Sequence, residues 1–274
     1  MLNDIYQSLD PVALTLGPLQ IRWYGLAYIF GFILAGLLLV HLSRRWKLKM
    51  SEDSIYTVLM CIVLGIILGA RIGYCLFYGD GYYLAHPLKI LAINEGGMSF
   101  HGGLLGVLIG GFVASRITHV PFATLTDLGA VMAPLGLFLG RCANFVNGEL
   151  WGGPTDLPWG VVFGGVAGNM PRHPSQLYEA VLEGLVLFAI LYCLARRNPP
   201  HPRGTYIGTF LLGYGVFRFL IEFIRQPDAQ IGYLLGDWFT MGQLLSLPLV
   251  VAGVALLIYA RVKKLPQQGE PEGE

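Results

Sequence analysis

The sequence predicts an all-α integral membrane protein: a bundle of about seven transmembrane helices with a small extracytoplasmic cap. Three observations carry that reading. Of 274 residues, 54% are hydrophobic and only 13% charged, and the mean hydropathy is +0.59. A soluble domain carries about 25% charged residues. Seven apolar segments approach the roughly 20 residues that a helix needs to cross the hydrocarbon core. The few charges present are concentrated between those segments.

The segments are 23–42, 55–76, 98–115, 124–143, 178–195, 204–224 and 240–260, forming one polytopic membrane domain over residues 1–274. Backbone groups in lipid must be hydrogen-bonded internally, so these are helices. A barrel would need alternating segments of about ten residues, and none stands out. The amino-terminal stretch MLNDIYQSLD has neither the basic nor the apolar region of a secretory signal peptide. Residues 265–274 are polar and rich in Pro and Gly, which predicts a disordered tail.

Lys and Arg set the orientation. One side holds Arg44, Arg45, Lys47, Lys49, Arg116, Arg196, Arg197, Arg203, Arg261, Lys263 and Lys264. The other holds only Lys89, Arg172 and Arg225. The amino terminus, with Asp4 and Asp10, is therefore predicted outside and the carboxyl terminus cytoplasmic. The loop 144–177 then lies outside, and its Gly, Trp and Pro content predicts a cap on the membrane surface. The formal net charge of +1 points to no nucleic-acid partner.

Cys61, Cys75, Cys142 and Cys193 sit in apolar stretches without CxxC spacing, and read as small buried hydrophobes. No Cys/His cluster offers a metal site, and no GK[ST] phosphate loop suggests a nucleotide. No cofactor is expected.

Placed on this topology, the remaining polar residues fall near the outer leaflet. Tyr24 opens the first span, and Arg71 and Tyr74 lie near the outer end of the second. His101 opens the third, Arg141 and Asn144 close the fourth, and Glu149 follows in the cap. Glu179 begins the fifth, while Glu222 and Arg225 end the sixth. Ionisable groups in spans mark functional sites by default. Arginines at headgroup depth suit a phosphate, because the guanidinium fork grips its oxygens in pairs. Glycines on both sides of His101 leave room for a ligand or another helix, and a neutral imidazole can accept a proton. The chemistry reads as a lipid phosphate held near a candidate general base, although His101 taken alone reads as a packing histidine.

Each feature has a plainer reading. Arg218, Glu222 and Arg225 share one helix face and make an ion-pair ladder by themselves. Glu179 and Glu183 are four residues apart and can pair with arginines of a neighbouring helix. Tyr24 beside Trp23 is an ordinary interfacial aromatic. Gly65, Gly69, Gly106 and Gly110 suit close helix packing. Convergence at one depth favours a shared site over separate explanations.

The stretch 140–152, GRCANFVNGELWG, meets every fixed position of G-R-x-[GA]-N-F-x-N-x-E-x-x-G. In this it resembles the prolipoprotein diacylglyceryl transferase family. RWYG at 22–25, GGMSFHGG at 96–103, RHPSQLYE at 172–179 and EFIRQPDAQ at 222–230 extend the resemblance from the first span to the last.

The resemblance implies a multi-pass enzyme of the bacterial inner membrane, with a periplasmic amino terminus. It implies transfer of the diacylglyceryl group of phosphatidylglycerol to the lipobox cysteine in the signal peptide of a preprolipoprotein. A thioether forms and glycerol 1-phosphate leaves. Arg141 and Arg225 are expected to hold the phosphate, and His101 to take the thiol proton or hydrogen-bond the lipid. Tyr24, Asn144, Glu149 and Glu222 are expected to orient the headgroup or the arginines, and Gly152 to permit a tight turn in the cap. The rival readings are a transporter, against which the sequence shows no internal repeat, and a membrane protein that only binds lipid. Another lipid-phosphate enzyme would need further His/Asp partners near His101, which Gly102 and Gly103 do not supply.

Overall fold

The computed structural model describes residues 1–17, 19–93, 96–227 and 232–271. In chain order its helices are α1 (Leu2–Gln7), α2 (Trp23–Arg45), α3 (Glu52–Phe77), α4 (Tyr82–Ala85), α5 (Phe100–Thr118), α6 (Phe122–Asn147), α7 (Ser175–Ala195), α8 (Thr205–Ile221) and α9 (Met241–Lys263). Six of them, α2, α3, α5, α6, α7 and α9, are long and apolar enough to cross a membrane. Helix α8 is apolar and shorter, at 17 residues. This is the multi-pass helical architecture that hydropathy predicts. Two small antiparallel hairpins that hydropathy did not reveal join it, β1 (Val12–Leu16) with β2 (Leu19–Arg22) and β3 (Tyr233–Leu235) with β4 (Phe239–Thr240).

Large apolar side chains line the outside of the helices, as Ile29, Phe30, Ile33 and Leu37 do on α2. Such surface is stable only against lipid. The cysteines follow the same rule, which corrects the expectation that they are buried. Cys193 is exposed and the other three are half-buried, because an apolar thiol needs no protein cover in hydrocarbon.

The chain divides into two compact units. One comprises Met1–Leu39 and Asp127–Pro266, the other Val40–Thr126 and Gln267–Glu274. In the second unit α3 and α5 pack backbone to backbone. A Cβ on Gly106 would overlap the Gly65 carbonyl, and one on Gly69 would overlap the Gly102 carbonyl. Lipid provides no hydrophobic drive between helices, so close approach through small residues supplies the attraction. Ser51 caps α3 and Ser99 caps α5, each accepting an N–H of the first turn. The Glu270 carboxylate accepts from the Ser51 N–H (2.8 Å) and the Ser54 hydroxyl (3.1 Å), bonds that hold it below the usual carboxylate range. Residues 272–274 of the expected tail lie outside the described residues.

In the first unit, Asp127 is fully buried on α6 and accepts the N–H groups of Gly204 (2.7 Å) and Ile207 (2.8 Å). These are orphan donors at the start of α8, and a charged acceptor fixes that end. Helix α7 carries a π-helical stretch, Ala180–Val186. Such stretches cluster at functional sites. Within it Gly184 lies so close to Phe138 of α6 that a Cβ would stand 2.9 Å from the Phe138 Cα.

Candidate active site

Three helices of the first unit deliver charge to one place. Arg141 comes from the end of α6, Glu179 and Glu183 from α7, Arg218 from α8, and Glu222 and Arg225 from the turn that follows it. Arg141 Nε lies 2.6 Å from Glu179 Oε2. The other oxygen of Glu179 meets Arg225 Nη1 at 3.0 Å and Arg218 Nη1 at 3.2 Å. Glu222 Oε1 pairs with Arg218 Nη2 at 2.5 Å and Arg225 Nε at 3.5 Å. Glu179 thus sits among three guanidiniums.

Burial makes these pairs mandatory. The Glu179 and Glu183 side chains are 0% exposed and the arginines at most 16%. Removing one partner of a buried pair costs about 3–5 kcal/mol, because the other charge is left without compensation. The pairs named engage two of the three nitrogens of each arginine. Glu183 lies 3.7 Å from Arg141 Nη2, and its carboxylate oxygens accept no hydrogen bond among the described residues. Guanidiniums offer five N–H donors each, so a phosphate can be received without dismantling the cluster.

The cap is built onto the same site. Glu149 Oε1 accepts from Asn144 Nδ2 (2.8 Å) and Asn147 Nδ2 (3.2 Å). The Glu149 backbone carbonyl accepts from Gln176 Nε2 (2.6 Å), and the Leu150 carbonyl accepts from the Ser175 hydroxyl (3.0 Å). Gly148 (φ +68°) turns the chain after α6. Gly152 has a different reason to be glycine. Its N–H donates to the His173 carbonyl (2.8 Å), and a Cβ would stand 2.6 Å from the Ile224 carbonyl oxygen. Close packing of the cap against the turn that carries Ile224 and Arg225, not a left-handed turn, excludes a side chain there. Arg172 lies 4.4 Å over the Trp151 ring and donates to the Ala167 carbonyl.

Tyr24 starts α2 with its hydroxyl 3.2 Å from that of Tyr28, within electrostatic range of Arg141 and Glu149. Tyr24, Arg141, Asn144, Glu149, Gly152, Glu222 and Arg225 are therefore assembled in one unit. His101 belongs to the other, exposed in the first turn of α5 with its ring 5.6 Å from that of Phe100. Positions 228–230 of the EFIRQPDAQ block lie outside the described residues.

Two arginines change standing. Sequence reasoning read Arg218 only as part of an ion-pair ladder with Glu222 and Arg225; it does pair with Glu222, and it also reaches Glu179 on α7. Its seven-residue spacing from Arg225, with Glu222 between, was the available signal. Sequence reasoning also placed Arg71 among the phosphate-depth groups. Its guanidinium is buried and spent on backbone, donating to the carbonyls of Ile90 (2.8 Å), Lys89 (2.5 Å), Gly96 (2.6 Å) and Gly97 (3.0 Å). Arg71 organises the loop before α5.

Fold and site define a multi-pass membrane protein with a buried arginine cluster suited to an anionic lipid headgroup. The sequence model described as prolipoprotein diacylglyceryl transferase matches residues 11–259. A phosphatidylglycerol–prolipoprotein diacylglyceryl transferase of Geobacter sulfurreducens is 50% identical over 95% of this chain and 98% of its own length. Proteins of the same name from Nitratidesulfovibrio vulgaris (strain DP4) and Aliivibrio fischeri (strain ATCC 700601 / ES114) are 50% and 47% identical, over 92% and 97% of this chain and 95% of each relative. The chain belongs to the prolipoprotein diacylglyceryl transferase family.

Proposed function

We propose that this protein transfers the diacylglyceryl group of phosphatidylglycerol to the lipobox cysteine thiol of preprolipoproteins. The observation that carries this is the convergence of Arg141, Arg218 and Arg225 on Glu179 and Glu222. The names of the relatives supply the two substrates. A sulfur–carbon bond forms at the glyceryl carbon, and the carbon–oxygen bond to phosphate breaks. Glycerol 1-phosphate leaves, and the thiol proton passes to a base.

Negative charge grows on the leaving phosphate as that bond breaks. Donors already fixed in a poorly hydrated site stabilise such charge without reorganising. The carboxylates hold the guanidiniums in place before lipid enters. Asn144 and Glu149 tie the end of α6 to the cap, and Gly152 brings the cap against Arg225. Tyr24, at the start of α2, is expected to orient the headgroup. A thiol of pKa about 8.5 is mostly protonated at pH 7 and reacts as thiolate, and His101 is the base by its place in the GGMSFHGG block. The enzyme sits in the bacterial inner membrane, with the basic loops cytoplasmic and the cap periplasmic.

The test is mass spectrometry of a lipobox peptide incubated with the purified protein and phosphatidylglycerol. The peptide gains one diacylglyceryl mass on its cysteine, and a Cys→Ser peptide gains none. Arg141→Ala and Arg225→Ala abolish the gain, and His101→Gln abolishes it at neutral pH. A folded wild-type protein that adds no mass rules the transferase reading out.

A further inference from the structure

Glu222 is held from its far side by the start of α9. Thr240 is buried, and its hydroxyl donates to Glu222 Oε2 at 2.5 Å. The same hydroxyl oxygen accepts the Gln243 N–H (3.2 Å), while the Gln243 side chain accepts the Thr240 N–H (2.9 Å). This is a capping box. The helix uses the oxygen's lone pair, which leaves the hydroxyl hydrogen for Glu222. Gly242 completes the seat. A Cβ there would stand 2.6 and 2.7 Å from the two Glu222 carboxylate oxygens, so the carboxylate fills the space the missing side chain leaves.

The Glu222 side chain has three rotatable bonds and, left alone, many positions. With Oε2 tied to Thr240 and the group seated on Gly242, Oε1 has one direction, toward Arg218 and Arg225. A cavity of about 150 Å³ opens here, lined by Arg218, Glu222, Arg225, Thr240 and Gly242 among others. Guanidinium placement matters at this scale, since a misplacement of about 1 Å in a reacting constellation costs on the order of 100-fold in rate.

We propose that Thr240 and Gly242 are positioning residues that fix the Glu222 carboxylate and, through it, the Arg218 and Arg225 forks that receive the lipid phosphate. The proposal rests on the transferase reading above. A helix cap alone would predict effects on stability only, and Gly242→Ala separates the two roles. Alanine favours a helix over glycine. The atoms it displaces are the tip of a flexible side chain, so the fold accommodates it by turning Glu222 aside.

The experiment compares intact wild type, Gly242→Ala, Thr240→Val and Thr240→Ser. It measures kcat and KM for phosphatidylglycerol in the peptide assay, Tm, and the ¹⁵N–¹H signal of Arg225 Nε, assigned with Arg225→Lys. Gly242→Ala stays folded with a Tm lowered by the disturbed Glu222 pair, lowers kcat about tenfold or more, and leaves KM within about threefold. Thr240→Val loses kcat similarly, and Thr240→Ser retains it within about threefold. The Arg225 signal moves in the first two variants and stays in the third. Wild-type kcat with an unmoved Arg225 signal in Gly242→Ala overturns the proposal, as does a Thr240→Ser enzyme as impaired as Thr240→Val. If wild type transfers nothing, the transferase reading falls and the Arg225 signal decides alone. A shift in Gly242→Ala then supports the positioning role, and none overturns it.

Discussion

Arg71 in one unit and the Arg141–Arg218–Arg225 cluster in the other solve the same problem in different ways. Each buries guanidinium in a chain that spans a membrane. Arg71 meets four backbone carbonyls, from Lys89, Ile90, Gly96 and Gly97. Those acceptors are fixed by the chain and neutral, and they occupy its donors. The cluster arginines meet carboxylates on side chains, Glu179 and Glu222. Those acceptors are charged, Glu222 is itself held by Thr240, and a guanidinium paired through two of its nitrogens still has donors to give. The difference separates an arginine spent on the fold from arginines that keep donors for a ligand.

The comparison breaks most visibly at Glu179. Glu179→Gln removes the anion that three guanidiniums share and should destabilise the protein by about 3–5 kcal/mol. Thermal unfolding in detergent reads this as a large drop in Tm, and an unchanged Tm would mean the cluster is not held as described. Arg71→Gln should cost about 1–3 kcal/mol, because buried carbonyls lose their donors. Its defect belongs to the 89–97 loop, so protease sensitivity there should rise.

The smallest expected effect concerns pH. Burial pushes the His173 imidazole below its ordinary value, and His201 moves the same way through burial and Arg197. Below about pH 6.5 the unfolded chain binds protons that the folded protein refuses until lower pH. Stability is therefore full above that value and declines as pH falls through it. His173→Gln should flatten the acid side of the Tm profile slightly, and identical profiles would contradict the assignment.

The helical membrane architecture was legible because hydropathy and length are local properties of sequence. The signature residues Arg141, Asn144, Glu149 and Gly152 were legible as a group, as were Glu222 and Arg225. What escaped depends on contacts between distant segments. Nothing near Arg71 tells that its partners are carbonyls some 20 residues on. Gly242 lies against a carboxylate from the turn after α8, and Gly152 against the Ile224 carbonyl rather than serving its own turn. The hairpins β1–β2 and β3–β4 and the π-helical stretch of α7 carry no pattern strong enough to separate them from the spans they adjoin. For Arg218 the pairing with Glu222 was legible from spacing, and only its reach to Glu179 on another helix was not.

The cluster, and not Arg71, is expected to receive the lipid phosphate. Native mass spectrometry of wild type, Arg218→Lys and Arg71→Gln, each offered phosphatidylglycerol and phosphatidylcholine, tests it directly. Lysine keeps the charge and loses the fork. Retention of phosphatidylglycerol by Arg218→Lys should fall about tenfold or more, while folded Arg71→Gln retains it as wild type does. Loss of phosphatidylglycerol from Arg71→Gln with full retention by Arg218→Lys would contradict the account.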